Sequence, residues 1–328
     1  MELFEYSRAR NAKEAIDAGR RQGVRFIAGG TTLYDLMKLN VEQPNTVVDI
    51  NHLPFDKVER TSEGGLRIGA VVRNADLAHH PEVQKSYPVL SQALLSGASA
   101  QLRNRATTGG NLLQRTRCVY FRDTDMPCNK RDPGTGCSAI EGFNRNLAIL
   151  GTSEKCIASN PSDMNVALMA LGAVVHIQGS RGERAVPISE FFLLPGETPQ
   201  RETVLTPGDL ITHVTLPPLA VGTKSVYLKL RDRASYEFAL ASAAVVANVQ
   251  GGKLQNVAIA MGGVGAIPWR ARAAEAGLSG AVADPALFRQ AAEAVLKDAR
   301  PQSENGFKVE LAKRCLVQAL TLATRDSS

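Results

Sequence analysis

Aromatic residues make up only 5% of this 328-residue chain, and there is one Trp. The longest apolar run, Phe238 to Val249, is about half the ~20 residues that a membrane-spanning helix needs. The first residues, Met1-Glu2-Leu3-Phe4-Glu5-Tyr6-Ser7, carry acids where an export signal carries Lys or Arg, and no apolar core follows, so no signal of its own is expected. Lys and Arg exceed Asp and Glu by six but are scattered, which with so few aromatics argues against nucleic acid as a partner. Neither G-x-G-x-x-G nor G-x-x-x-x-G-K-[ST] occurs, which disfavours a Rossmann dinucleotide site and a P-loop NTPase. Paired C-x₂₋₄-C ligands are also missing.

What remains is an ordinary globular composition, 44% hydrophobic and 21% charged, long enough for two or three packed subdomains. Asn11 with Glu14 reads as a capping box opening a helix that Gly23 ends. A buried strand Val24 to Ala28, the turn Gly29-Gly30-Thr31-Thr32, a helix from Leu33 to Leu39 and a strand near Val47 to Ile50 follow. Leu66 to Val72 reads as a strand, Asn74 to Leu77 starts a helix that Pro81 interrupts, and Leu90 to Ala100 reads as a small-residue helix. A second glycine turn runs from Arg103 to Asn111, and a helix begins at Asn160-Pro161-Ser162-Asp163 and stops at Gly172. Pro217-Pro218 and Gly222 mark a boundary. Beyond it, three strands at Ser225 to Leu230, Leu240 to Val249 and Leu254 to Met261, then helices from Asp284 and Phe307, form an α+β module.

A strand ending in Gly-Gly-Thr and running into a helix presents unpaired backbone N–H groups, the arrangement that receives phosphate oxygens. Gly29 and Gly30 lack a Cβ, and the Thr31 and Thr32 hydroxyls can cap the helix or donate to a ligand. The turn Thr107-Thr108-Gly109-Gly110-Asn111 has the same ingredients, so the pair suits a ligand with two ends. Each alone also reads as a tight turn.

Cys118, Cys128, Cys137 and Cys156 have nine, eight and eighteen residues between them, in a segment, about 115–160, without sustained periodicity. Cys315 stands apart on the apolar face of the last helix. Widely spaced thiolates suit an iron–sulfur cluster, while zinc and free or bridged thiols stay open. Arg115, Arg117, Arg122, Lys130 and Arg131 gather there, and Arg117, Arg122, Lys130 and Arg131 are expected to offset thiolate charge.

Phe26-Ile27-Ala28-Gly29-Gly30-Thr31-Thr32-Leu33-Tyr34 with Thr107-Thr108-Gly109-Gly110-Asn111-Leu112 resembles the two FAD loops of the xanthine dehydrogenase and carbon monoxide dehydrogenase flavoprotein family. The resemblance covers the whole chain and includes Pro161-Ser162-Asp163 as a third FAD-contacting stretch. It implies a two-subdomain FAD-binding domain of the vanillyl-alcohol-oxidase (PCMH) type over 1–220, divided at about residue 55, with an iron–sulfur insert at 115–160. A smaller α+β domain over 221–328 follows. Residues implied for FAD are Phe26, Ile27, Ala28, Gly29, Gly30, Thr31, Thr32, Leu33, Tyr34, Thr107, Thr108, Gly110, Asn111, Asp163 and Lys229. The cysteine insert is similar to that of FAD subunits from bacterial periplasmic molybdenum aldehyde oxidoreductases, and more distantly to that of 4-hydroxybenzoyl-CoA reductase medium subunits. By that likeness Cys118, Cys128, Cys137 and Cys156 ligate a [4Fe–4S] cluster.

The same resemblance implies an electron-transfer subunit of a heterotrimer. A large subunit carries the molybdenum cofactor, a small subunit carries [2Fe–2S] clusters, and FAD passes electrons to an external acceptor, with no catalytic side chain required here. The chain is too short to contain the molybdenum or [2Fe–2S] domains itself. It also shows no NAD-binding loop. Location is expected to be periplasmic by co-export with a signal-bearing partner, or cytoplasmic. Competing readings are a self-contained flavin oxidase and a basic zinc-bound interaction module.

Overall fold

A computed structural model describes residues 1–325 as three sheets joined by helices. The first sheet holds β1 (Glu5–Arg8), β2 (Val24–Ile27) and β3 (Thr46–Asp49), all parallel, in the order β1-β3-β2. Val47 and Val48 point to opposite faces of β3 and are both buried, as befits the central strand of a parallel sheet. The helix Ala12–Gly19 is capped by Asn11, whose side chain accepts from the Glu14 amide. Glu14 does not close the box on Asn11; its carboxylate turns to the amide and guanidinium of Arg10.

The second sheet is antiparallel: β4 (Val58–Arg60), β5 (Leu66–Gly69), β6 (Val174–Gly179), β7 (Gly182–Pro187) and β8 (Leu210–Leu216), in the order β4-β5-β8-β6-β7. Alternation is clean in β6, where Val175 and Ile177 are buried while His176 faces outward and stacks on His213 of β8. Between this sheet and the C-terminal module lies the helix Asp163–Leu171, every residue of which is buried. A helix apolar all round needs neighbours on all sides. It finds them in the helix Pro88–Ser96, in the third sheet and in Arg270, which donates to the carbonyls of Met169 and Ala170 at its end.

The expected small-residue helix Leu90 to Ala100 is in fact two. Pro88–Ser96 stops at Gly97, Ala98 takes φ +52°, and Ala100–Arg103 restarts under a Ser99 cap. The 107–111 turn is also helical, Thr108–Leu112 with Thr107 as N-cap.

The third sheet holds β9 (Thr223–Leu230), β10 (Ala241–Gln250), β11 (Lys253–Gly262) and β12 (Trp269–Arg270), antiparallel in the order β12-β11-β10-β9. It has four strands rather than the expected three, because β12 spans two residues and is too short to show a period of two. Ala243, Val245 and Ala247 of β10 pack under the long helix Phe307–Thr324, with Cys315 in the same core. The expected domain 221–328 ends in residues 326–328, which lie outside the described residues. No helix among the described residues is long and apolar enough to cross a membrane.

Lys308 on that last helix is fully buried and donates to the carbonyls of Asn146, Leu147 and Gly263, at 3.4, 2.9 and 2.6 Å. It ties the end of the cysteine segment to the end of β11. Burial, with Arg145 adding repulsion, pulls its ammonium down to about 7 from an ordinary 10.5. Lys308→Met takes the ammonium from Gly263 O and leaves Asn146 O and Leu147 O with only the Ser159 hydroxyl at 3.3 Å and the Asn305 amide at 3.5 Å, and we expect a loss of about 2–4 kcal/mol in chemical denaturation at pH 7. A folded value below the unfolded one means the unfolded chain binds the extra proton between pH 10.5 and 7. The native chain should therefore lose stability as pH falls through that window, and Lys308→Met should flatten the slope.

Candidate functional site

The turn after β2 lies against the turn before Thr107 at closest backbone range. A Cβ on Gly29 would stand 2.1 Å from the Arg105 carbonyl oxygen, and Gly30 has φ +74°. Arg73 braces the pair: it donates to Arg105 O at 2.7 Å and to Asn51 Oδ1 at 2.8 Å, and Asn51 donates to Ala28 O at 2.9 Å. Among the described residues, the N–H groups of Gly29, Gly30, Thr31 and Thr32 meet no acceptor. Thr32 precedes the helix Leu33–Lys38 without capping it, so its hydroxyl is not committed there. Unpaired amides on a Cβ-free turn are what a diphosphate requires.

These turns border a cleft of about 450 Å³, lined by Thr31, Thr32, Asn74, Gly110, Asn111, Asp163 and Lys229 among others. A smaller space of about 200 Å³ adjoins it past Arg117, Pro161, Asp163 and Phe238. Of the residues singled out in the sequence, Phe26 faces a different and larger cavity of about 710 Å³, behind Gln114 and Pro161. That cavity lacks the unpaired amides, so its size does not make it the nucleotide site. Ile27, Ala28, Gly29, Gly30, Leu33, Tyr34, Thr107 and Thr108 shape the loops without lining the cleft. The Thr107 hydroxyl caps Gly110 N and Thr108 bonds Val72 O. Asn111 Oδ1 is likewise occupied, by Ser162 and Gln114. Ser162 is also the N-cap of Asp163–Leu171, so the second and third turns are locked to each other.

At the far end of the cleft, Lys229 is enclosed rather than solvated. Its side chain is 4% exposed and its ammonium sits 2.8 Å from Asp163 and 3.0 Å from Ser96 O, the C-terminal carbonyl of Pro88–Ser96. Tyr227, unnoticed in the sequence, donates to the other oxygen of Asp163. Burial, reinforced by that carboxylate, holds the Tyr227 hydroxyl well above its ordinary value, so it remains a donor. Asn74 Oδ1 and Arg117 Nε are buried without a partner, and both residues line the cleft. Polar atoms of that kind ask for a ligand.

Two models of known families match the chain end to end: an FAD binding domain in molybdopterin dehydrogenase over residues 2–219, and a CO dehydrogenase flavoprotein C-terminal domain over 226–323. The chain belongs to this flavoprotein family.

It is 52% identical to the aldehyde oxidoreductase FAD-binding subunit PaoB of Escherichia coli K12, over 98% of this chain and 99% of that one. It is 28% identical to the glyceraldehyde dehydrogenase medium chain of Sulfolobus acidocaldarius, over 92% and 90%. The solved carbon monoxide dehydrogenase of Hydrogenophaga pseudoflava superposes with a TM-score of 0.78 at 26% identity, covering 98% of this chain and 97% of that one. The family's ligand fits what is here: amide cradle, cleft and unpartnered donors suit FAD, and Thr31, Thr32, Gly110, Asp163 and Lys229 are the implied residues that line the cleft with Asn111.

The cysteine segment, with one short helix at Val119–Arg122, wraps a small space lined by Cys118, Cys128, Cys137 and Cys156. Cys128 and Cys137 face each other in a single isolated antiparallel bridge. All five cysteines are free thiols. Cys118 is pushed up to about 11 by burial, against the Phe121 and Tyr120 amides; burial also raises Cys156, which Lys130 opposes. Burial alone pushes Cys315 up to about 12, and it lies in the core far along the chain. The nearby cations do less for the thiols than their clustering suggests. Arg117 and Arg122 share Asp35, Arg115 joins Glu42 to Glu202, and Arg131 grips the carbonyls of Tyr120 and Phe121. Among the described residues no group of His, Cys, Asp or Glu is set to hold a metal ion.

Proposed function

We propose that the chain is the FAD- and [4Fe–4S]-bearing electron-transfer subunit of a heterotrimeric molybdenum hydroxylase that oxidises aldehydes to carboxylic acids. Electrons would arrive from [2Fe–2S] clusters on a small subunit and leave to an external acceptor, the substrate being oxidised on a large molybdenum subunit. The relatives named as FAD-binding subunit or medium chain support this assembly, and the similarity to the aldehyde oxidoreductase subunit over nearly all of both chains supports the substrate class. Bound FAD supplies the conversion between one- and two-electron transfer. The protein's part is to seat the diphosphate on the amides of 29–32 and to keep water from the cleft.

The observation that carries the cluster is the meeting of Cys118, Cys128, Cys137 and Cys156 around one space, from positions far apart in a segment whose small apolar cluster they share with Phe121, Leu147 and Ile157. A single zinc ion asks four sulfurs to meet ~2.3 Å from a point. A four-iron cluster asks them to stand apart around a volume, and binding as thiolates would release their protons to water. Isolated without oxygen, the native complex should contain about four iron atoms with matching acid-labile sulfide, and one FAD, per copy of this chain. Cys137→Ser, at the half-exposed thiol, should lose iron and lower the melting temperature. Zinc in place of iron, or iron and sulfide unchanged by Cys137→Ser, would overturn the reading.

A further inference from the structure

The residue before the first cluster cysteine reaches into the flavin cleft. Arg117 lines both the cleft and the space adjoining it, with Asp163 and Phe238 common to the two. One edge of its guanidinium is fixed, Nη1 to Asp35 at 3.0 Å. Its plane lies 5.1 Å from the centre of the Phe238 ring. Its Nε is buried and has no partner. Arg122 occupies the same Asp35 oxygen at 2.7 Å, so two cations face one carboxylate and the group is left with positive charge beside the cleft. Such a surplus, with a buried donor unpaired, is costly unless an acceptor oxygen completes it.

What sets the position of Arg117 is also clear. Asp35 stands on the helix that directly follows the Gly29–Thr32 cradle, and on the other side the chain continues into Cys118, held at the thiol space. The same stretch is held on either side by Arg115, paired with Glu42 and Glu202, and by the buried Phe121.

We propose that Arg117 is an FAD ligand contributed by the cysteine segment, donating from Nε to an oxygen of the bound nucleotide, and that filling the thiol site tightens FAD by fixing this side chain. This rests on the function proposed above, and it goes beyond it by making the cluster's structural role a matter of flavin retention.

The test measures the rate of FAD release from the native complex by recovery of flavin fluorescence after dilution, with iron counted in the same samples. Arg117→Gln should speed release by roughly tenfold to a hundredfold with iron retained, the size expected for removing one charged donor. Arg117→Lys, which keeps charge but not the planar fork, should fall between. Arg122→Gln, which shares Asp35 but does not line the cleft, should change release much less. Cys137→Ser should accelerate release in the same direction, and Arg117→Gln added to it should cause little more. Release within twofold of native in both Arg117 variants would overturn the ligand. Loss of iron with unchanged release in Cys137→Ser would overturn the coupling. A native complex without flavin would instead overturn the proposed function itself, so the two failures are distinct.

Discussion

Gly29→Ala is expected to leave the complex almost free of FAD while the chain stays folded. The added methyl would meet the Arg105 carbonyl oxygen at 2.1 Å and the Ala106 Cα at 3.0 Å, both backbone atoms that cannot swing aside as a side chain does. Arg105 O is itself pinned by Arg73, which is pinned to Asn51 and through it to Ala28 O. Relief must come from separating the two turns, which moves the amides of 29–32 off the diphosphate. A lost cradle of several charge-assisted hydrogen bonds weakens FAD binding by a hundredfold or more. The strain on the fold is of the ordinary overpacking size, about 1–3 kcal/mol, because the turns sit at a sheet edge. Flavin absorbance per chain together with a melting curve separates the two effects. Full flavin occupancy in Gly29→Ala would mean the cradle is not where the diphosphate binds.

How much of this could be read beforehand depends on whether the cause is local. The Gly29–Thr32 turn, the Asn11 cap and the Gly172 stop are local, and each appears where the residues place it. β12 was invisible because two residues carry no period, and the break after Ser96 because Ala98 adopts φ +52° without being a glycine. In the site, the sequence pointed to the loops but not to the braces. Arg73, Asn51 and Tyr227 act across 22 or more residues, and no spacing rule links them to the glycines or to Asp163. The basic cluster shows the opposite failure. Arg115, Arg117, Arg122 and Lys130 near four cysteines suggest charge compensation, yet their partners Asp35, Glu42 and Glu202 come from distant segments and take most of that charge. Only the fold decides which neighbour a cation has.

Lys229 makes the same point and leads to the other large effect. As a strand residue it reads as solvated, but its ammonium is enclosed with the Asp163 carboxylate, the two side chains 4% and 9% exposed. Asp163→Asn keeps shape and removes charge, leaving that ammonium with only the Ser96 carbonyl and depriving the Tyr227 hydroxyl of its anionic acceptor. Breaking one side of a buried pair costs about 3–5 kcal/mol, so the melting temperature should fall by roughly ten degrees. Since both residues line the cleft, FAD should be lost as well. Removing both charges, in Asp163→Asn with Lys229→Met, should return much of the stability, because an apolar replacement leaves no unpaired ion. It should not return the flavin if the pair also touches the nucleotide. Stability and flavin recovering together would mean the pair only holds β9 to the helices, and a single Asp163→Asn variant as stable as the native chain would mean Lys229 has another counter-charge.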